Sequence, residues 1–159
     1  GGQRSSDACG AQAGMSTEGN QTERHFRLSL SEDQLSVCRL DVDGRIPSWA
    51  TGDGFWAVLR REMELTVVCI TDRVPEGTCH TSGWRALTID ATLDFSEVGI
   101  LADLTTLLAR AGVSIFALST YDTDVVLVQE AVLSSAIEVL RAGGHEIADV
   151  SGDRPHPER

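Results

Sequence analysis

The order of strands and helices in the second half of the chain constrains its fold more than any other feature of the sequence. A strand is predicted at Arg85–Ile89 and is followed by a helix, after which strands are predicted at Val113–Ser119 and Val125–Gln129. A second helix and a short last strand, His145–Val150, complete the order β-α-β-β-α-β. That order is typical of the split βαβ, or ferredoxin-like, unit, and we therefore predict an α+β fold.

The first helix carries start and stop signals in the sequence. Asp94 is a good N-cap, and Glu97, three residues later, completes a capping box, which predicts that the helix begins there. Gly112 supplies the left-handed residue that commonly ends a helix. Apolar residues at helical spacing predict which face of each helix packs against the sheet. They are Leu101, Leu104, Leu108 and Ala111 in the first helix, and Leu133, Ala136, Ile137 and Leu140 in the second.

The strands differ in how buried they are expected to be. Val113–Leu118 is apolar on both faces and is predicted to be an interior strand. His145–Val150 is short and poorly apolar and is predicted to lie at an edge. The first half of the chain is rich in strands, with a short helical turn at Pro47–Ala50. The predicted strands of this half are Phe26–Leu30, Leu35–Leu40, Phe55–Arg60 and Leu65–Ile70.

Composition divides the chain into four segments. Residues 1–24 and 151–159 are polar and have no apolar periodicity, so both are predicted to be disordered tails. Residues 25–76 form the strand-rich unit, and residues 77–150 form the β-α-β-β-α-β domain. Pro75-Glu76-Gly77 marks the boundary between them.

Charge and hydropathy exclude several kinds of partner. The net charge of −11 over 159 residues argues against nucleic acid and anionic membranes, which require clustered Arg and Lys. No apolar run approaches the length of a bilayer span, and no basic-then-apolar signal pattern opens the chain, so we predict a cytoplasmic protein.

Two absences remove further classes of chemistry. The sequence has no lysine, which excludes a P-loop, Schiff-base chemistry and attachment of pyridoxal phosphate. The cysteines form no C-x-x-C pair, and Cys38 and Cys69 lie in apolar strands, where Cys acts as a small buried hydrophobe. Cys79 and His80 point in opposite directions on an extended chain, whereas zinc needs three or four converging ligands. We therefore predict neither a metal nor a cofactor.

Two motifs around the first helix resemble those of ACT domains. Val98-Gly99-Ile100-Leu101-Ala102 opens the helix, and Ala109-Arg110-Ala111-Gly112-Val113-Ser114-Ile115 closes it. ACT domains are small regulatory modules that bind amino acids or other small metabolites, so the resemblance implies such a role. Many amino-acid-binding ACT domains carry Asp-x-x-Pro-Gly before the helix, whereas here no proline follows Asp94. The loop is therefore expected to have a different shape.

Five further blocks resemble a narrower tandem-ACT family that includes bacterial stand-alone proteins and is similar to the animal cytosolic arginine sensors. In this family the first half is a shortened ACT-like unit whose strands complete the sheet of the second. ACT domains also commonly associate side by side, which implies a homodimer formed through an open sheet edge. The blocks are Val37-Cys38-Arg39-Leu40, Pro47-x-Trp49-Ala50, Gly83-Trp84-Arg85-Ala86-Leu87, Leu93-Asp94-Phe95-Ser96 and Ser119-Thr120-Tyr121-Asp122-Thr123-Asp124.

The predicted topology brings two loops to one end of the sheet. The first two strands of a β-α-β-β-α-β unit run in the same direction, so the loop Ala91–Ser96 and the hairpin turn Thr120–Asp124 emerge together. A helix N-terminus accepts a carboxylate, and neighbouring Asp or Glu residues accept an ammonium or guanidinium group. An amino acid offers both groups. The predicted ligand site consists of Asp94, Phe95, Ser96, Glu97, Val98, Gly99, Ser119, Thr120, Tyr121, Asp122, Thr123 and Asp124.

A structural role competes with binding for several of these residues. For Asp94 and Glu97 a structural role is favoured, because a capping box requires both. Asp122 and Asp124 are typical turn residues, and for them the turn and the ligand are equally supported. Gly99 permits the close approach of the helix to a strand, a partner or a ligand.

Catalysis is poorly supported by the same residues. Paired carboxylates can act as acid and base, but no His lies near them in the sequence. An acylphosphatase-type site needs an Arg and an Asn, and Asn20, in the predicted tail, is the only Asn. Ser96 and Ser119 lack a G-x-S-x-G elbow. We therefore predict a non-enzymatic regulatory protein that binds a small metabolite, an amino acid. The alternative is an ACT-fold assembly module with no metabolite ligand.

Overall fold

The computed structural model describes residues 24–149, which form one eight-stranded sheet and two α-helices. The predicted tails lie outside the described residues, except for Arg24. The mixed sheet with its two helices confirms the predicted ferredoxin-like α+β class. The strands are β1 (Arg27–Leu30), β2 (Leu35–Leu40), β3 (Ala57–Arg61), β4 (Glu64–Ile70), β5 (His80–Ile89), β6 (Ile115–Ser119), β7 (Asp124–Gln129) and β8 (Glu146–Asp149), and the helices are α1 (Ile100–Arg110) and α2 (Leu133–Ala142).

The long strand β5 joins the two halves of the chain. Along one edge, residues 84–88 of β5 pair with β7, and β7 in turn pairs with β6. Along the other edge, residues 87–89 pair with β1, while His80, Thr81 and Trp84 pair with β2. β2 then pairs with β4, and β4 with β3. One continuous sheet therefore serves both halves.

Strand β1, from the first half of the chain, lies inside the sheet of the second half. It is antiparallel to β5 and parallel to β8, and it separates these two strands. The first half therefore completes the sheet of the second, as the family resemblance implied. β8 pairs only with β1 among the described strands, so the prediction of a last edge strand is confirmed.

Alternation along β5 and β7 divides the apolar residues between the two faces of the sheet. Leu87 and Val126 join the core beneath the helices, whereas Ala86 and Leu127 join a second cluster on the opposite face, shared with the first half of the chain. Ile100 takes the buried position that was predicted for Leu101, which is only partly buried, as is Ile137; Ala111 is exposed. The other predicted helix residues are buried as expected, namely Leu104, Leu108, Leu133, Ala136 and Leu140.

The prediction that Val113–Leu118 forms an interior strand is wrong. The observed strand β6 pairs only with β7 within residues 24–149, so it lies at an edge. Its side chains are apolar on both faces because Ile115 packs against the helix-side core, while Phe116 and Leu118 pack against the opposite cluster. An apolar run reports that both faces are covered, not that both edges are paired.

The helix termini and connections agree partly with the sequence signals. Gly112 follows α1 with φ +70°, and the N–H of Val113 donates to the carbonyl of Leu108, so the predicted C-terminal stop is confirmed. The predicted turn in the first half is a 3₁₀ turn at Ser48–Ala50. Within the described part of the chain, no helix is long and apolar enough to span a membrane.

Candidate functional site

The two loops that were predicted to meet do lie together. The N–H of Leu93 donates to the carbonyl of Asp122 (2.7 Å), which ties the strand-to-helix loop to the hairpin turn. Between the loops is a cleft of about 330 Å³. Every residue of the predicted site lines it except Ser96 and Val98. The cleft is also lined by four residues outside the predicted site, Leu93, Ile100, Leu101 and Ala102.

Half of the capping box forms, and it does not start the helix. The N–H of Asp94 donates to Glu97 Oε1 (3.0 Å), as in a capping box, whereas Asp94 Oδ1 accepts from the N–H of Ser96 (2.8 Å) and not from that of Glu97. The turn is not continued, because Gly99 adopts φ +86° and α1 begins only at Ile100. The prediction that Asp94 caps α1 is therefore wrong.

The hydrogen bonds within this loop favour the ionised form of Asp94. The hydroxyl of Ser96 and then its backbone N–H both donate to the carboxylate and hold the pKa of Asp94 below its usual value. Asp94 is fully exposed, so its negative charge is available at the mouth of the cleft.

The start of α1 lies beside the cleft. The first N–H groups of an α-helix have no partner within the helix, and Gly99, at the N-cap, has no side chain to cap them. Ile100, Leu101 and Ala102, which form the first turn, all line the cleft. The positive end of the helix dipole therefore faces this space.

The two carboxylates of the hairpin turn, those of Asp122 and Asp124, differ in their hydrogen bonding. Asp124 accepts a hydrogen bond from the hydroxyl of Ser119 (2.5 Å), and Thr120 and Thr123 bond each other across the turn. The carboxylate of Asp122, by contrast, has no hydrogen bond or ion pair within residues 24–149. Asp124 thus has a partner within the turn, whereas Asp122 does not.

Two aromatic rings bridge the loops at the rim of the cleft. Phe95 and Tyr121 meet edge to face, with ring centroids 5.1 Å apart and an interplanar angle of 87°. Both side chains are largely exposed. The geometry is one that aromatic pairs prefer, and it places apolar surface beside the carboxylates.

A basic residue outside the predicted site, Arg24, holds the loop before α1. Arg24 belongs to the segment predicted to be a disordered tail, yet its Nη2 donates to the carbonyl of Val98 (2.6 Å) and to Asp103 Oδ2 (3.1 Å). It also lies against Gly99, where a Cβ atom would be 3.1 Å from Nη2. The sequence around Arg24 contains no periodic pattern that would predict this contact.

We expect Gly99→Ala to lower the free energy of unfolding by more than Gly77→Ala does. Both glycines are left-handed (φ +86° and +84°), which costs an L residue about 1–2 kcal/mol. Only at Gly99 does the added methyl group also meet another side chain, that of Arg24, because nothing lies within 4 Å of a Cβ atom at Gly77. Urea unfolding of both variants measures the difference. Equal losses would show that the Arg24 contact contributes nothing.

The fold is that of a ferredoxin-like α+β domain. Residues 80–142 match the family model of the ACT domain. A separate model, which describes an N-terminal domain, matches residues 33–77. No protein of curated function matches the sequence.

Solved structures share this fold. A protein from Agobacterium tumefaciens is 29% identical, with a TM-score of 0.77 over 84% of this chain and 99% of that one. A protein of unknown function from Vibrio cholerae, described as a possible transport protein, is 21% identical over 76% of this chain and 91% of its own, with a TM-score of 0.60. The regulatory subunit of aspartate kinase from Thermus flavus is 9% identical over 74% of this chain and 96% of its own, with a TM-score of 0.54. For the Vibrio cholerae and Thermus flavus proteins, the similarity is one of fold alone.

Proposed function

We propose that the chain is a non-enzymatic regulatory protein that binds an amino acid in the cleft between residues 93–102 and 119–124. The observation that carries this proposal is the pairing of opposite charges across one small space. The first turn of α1 offers backbone N–H groups to a carboxylate, while Asp122 offers an ammonium group a carboxylate that has no partner within residues 24–149. These are the two charged groups that every free amino acid carries.

The size of the cleft supports a ligand of this class. Its volume of about 330 Å³ lies at the lower end of the range for small-molecule sites, which suits a metabolite rather than a nucleotide cofactor. The ACT domain match and the structural likeness to an aspartate kinase regulatory subunit agree with a regulatory role. The ligand contacts that we propose are those of the predicted site that line the cleft, with Asp122 as the principal carboxylate.

We also propose the finer assignments of family, domains and compartment. In this view the chain is a cytoplasmic tandem-ACT protein similar to the animal cytosolic arginine sensors. Residues 25–76 are its shortened ACT-like unit, and residues 77–150 its ACT domain. The two family models, which match residues 33–77 and 80–142 separately, support a division at this place.

A thermal-shift screen of the twenty amino acids and the common nucleotides tests the proposed function. A ligand that binds only the folded state stabilises it by about 2.7 kcal/mol at a concentration of one hundred times its Kd. We expect at least one amino acid to raise the melting temperature in proportion to the logarithm of its concentration. A screen in which no amino acid shifts the transition would contradict the proposal.

The open sheet edges favour an association through sheet pairing, and we predict a homodimer. Among the described strands, β8 and β6 each have one unpaired edge, which exposes backbone N–H and C=O groups. Light scattering at high micromolar concentration should give twice the mass of one chain. A strict monomer would contradict this prediction. A dimer that binds nothing in the screen would support the alternative, an assembly module without a metabolite ligand.

A further inference from the structure

We infer that the segment Arg24–Phe26 positions the start of α1, and that this segment is released when His145 takes up a proton. The inference deepens the proposed function, since the start of α1 forms one wall of the proposed ligand cleft. The structural part of the inference does not require a ligand.

One end of the segment is attached to the start of α1. Arg24 Nη2 donates to the carbonyl of Val98 and to the carboxylate of Asp103, in the first turn of the helix. The guanidinium group thus joins the loop before Gly99 to the helix after it. The side chains of Arg24 and Asp103 are each about one-third exposed. Solvent therefore partly screens their ion pair, which is easily lost when the segment moves.

The other end of the segment is attached to His145, at the start of β8. The N–H of Phe26 donates to His145 Nδ1 (3.1 Å), and the carbonyl of Phe26 accepts from the N–H of Glu146 (2.9 Å). The rings of Phe26 and His145 are nearly parallel, with centroids 5.8 Å apart. His25 packs its ring against Gly144, where a Cβ atom would be 2.5 Å from Nε2. Every residue of the segment therefore has a contact in this region or at α1.

The bond to Phe26 requires an unprotonated Nδ1. A proton on this nitrogen would remove the acceptor, and it would place a charge on a residue that is only 5% exposed. Burial is the main reason that the pKa of His145 lies below its usual 6.5, and the neighbouring His25 lowers it further, while Asp103 acts in the opposite direction.

The remaining charged groups nearby are held by other partners. Glu146 lies 3.7 Å from Arg27, and Arg141 of α2 donates to the carbonyl of Ile147. Asp103, which opposes the lowering of the pKa, is itself bound by Arg24. His25 and Asp103 are therefore the titratable groups that act on His145.

The direction of the pH effect follows from these shifts. Release of the segment exposes the ring, so the pKa of His145 rises back toward its usual value and the open state binds the proton more readily than the closed state does. The closed state is fully favoured above pH 6.5 and loses that advantage as the pH falls below it. At pH 5.5, one unit lower, the ratio of open to closed segment rises by up to about tenfold.

Hydrogen–deuterium exchange of the ligand-free full chain at pH 7.5 and pH 5.5 tests the inference. Exchange rates are corrected for their intrinsic pH dependence and compared for peptides covering residues 25–30 and 96–103. In the wild type we expect both peptides to lose protection at pH 5.5. In Arg24→Gln, residues 96–103 should exchange several-fold faster at both pH values, since the tie to Val98 and Asp103 is gone.

Two further variants separate positioning from general destabilisation. Arg27→Gln also removes a positive charge, three residues after Arg24, from a side chain that is 59% exposed. This variant should leave the exchange of residues 96–103 unchanged. His145→Asn keeps an acceptor near the place of Nδ1 without a titratable group, so the difference between the two pH values should disappear.

The inference is overturned if the wild-type protection of residues 96–103 is equal at both pH values, or if Arg24→Gln leaves it unchanged. If His145→Asn unfolds by circular dichroism, the wild-type and Arg24→Gln series decide the question between them. Because no ligand is present, these results are independent of the thermal-shift screen. A protein that binds no amino acid can still show the pH-dependent release, and one that binds can lack it.

Discussion

Leu104→Ala should lower the free energy of unfolding by about 2–5 kcal/mol, the largest effect we expect from a single substitution. Leu104 lies at the centre of α1, is fully buried (0% exposed) and belongs to the core between the helices and the sheet. Removing its side chain loses transfer free energy and leaves a cavity that the two helices and β5 cannot fill without moving. Urea unfolding followed by circular dichroism measures the change.

Leu59→Ala is the matched control for this prediction. Leu59 is the same residue type, but it lies on β3 and is 42% exposed, so much less apolar surface is lost. We expect its effect to be under about 1 kcal/mol. Similar losses in the two variants would mean that the core does not lie beneath α1 as the structure has it.

The second large effect concerns ligand affinity. For an amino acid that raises the melting temperature, Asp122→Ala should weaken binding by about ten- to a hundredfold. Losing one charge-assisted hydrogen bond to the ligand costs about 1.5–3 kcal/mol. The melting temperature without ligand should change little, because the Asp122 carboxylate makes no hydrogen bond in the described part of the chain. Isothermal titration calorimetry measures the affinity.

Two neighbouring carboxylates serve as controls for Asp122. Asp124→Ala removes the acceptor for Ser119, and Asp94→Ala removes the acceptor for Ser96, so both should disturb their own turns even without a ligand. Asp122→Ala should differ from both by changing affinity more than stability. If the bound amino acid is indifferent to Asp122, the proposed charge pairing across the cleft is wrong.

The residues near Asp94 show which structural features a local sequence signal predicts and which it does not. The sequence predicts the reciprocal hydrogen bonds of a capping box. Glu97 accepts from the N–H of Asp94 as predicted, whereas the Asp94 carboxylate accepts from the N–H of Ser96 and not from that of Glu97. It also predicts that the helix follows at once, and this is wrong, because Gly99 takes a left-handed conformation and delays the helix to Ile100. The capping box depends on four consecutive residues. The left-handed glycine is supported by Arg24, which is 75 positions earlier in the chain and cannot be found by local pattern.

Strand β6 shows a second limit of the same kind. Its apolar residues predict an interior strand with two paired edges, whereas they cover two faces of the sheet. Side-chain pattern reports on what lies above and below a strand, because successive side chains point to opposite faces. Pairing at the edges involves only backbone groups, which every residue carries, so the sequence contains little direct record of it.

By itself, the sequence determined the α+β class, the β-α-β-β-α-β order of the second half and the meeting of two loops at one end of the sheet. These follow from periodicity, turn residues and the direction in which consecutive strands run, all of which depend on neighbours along the chain. Only the tertiary structure decided that hydrogen bonds of Arg24 and His145 attach residues 24–26, just before β1, to the rest of the fold. It also decided that Asp124 has a side-chain partner within residues 24–149 while the Asp122 carboxylate has none there, and that β6 lies at an edge among the described strands. Each of these depends on contacts between residues distant in sequence, or on which polar groups remain unsatisfied after folding, and local patterning carries no information about either.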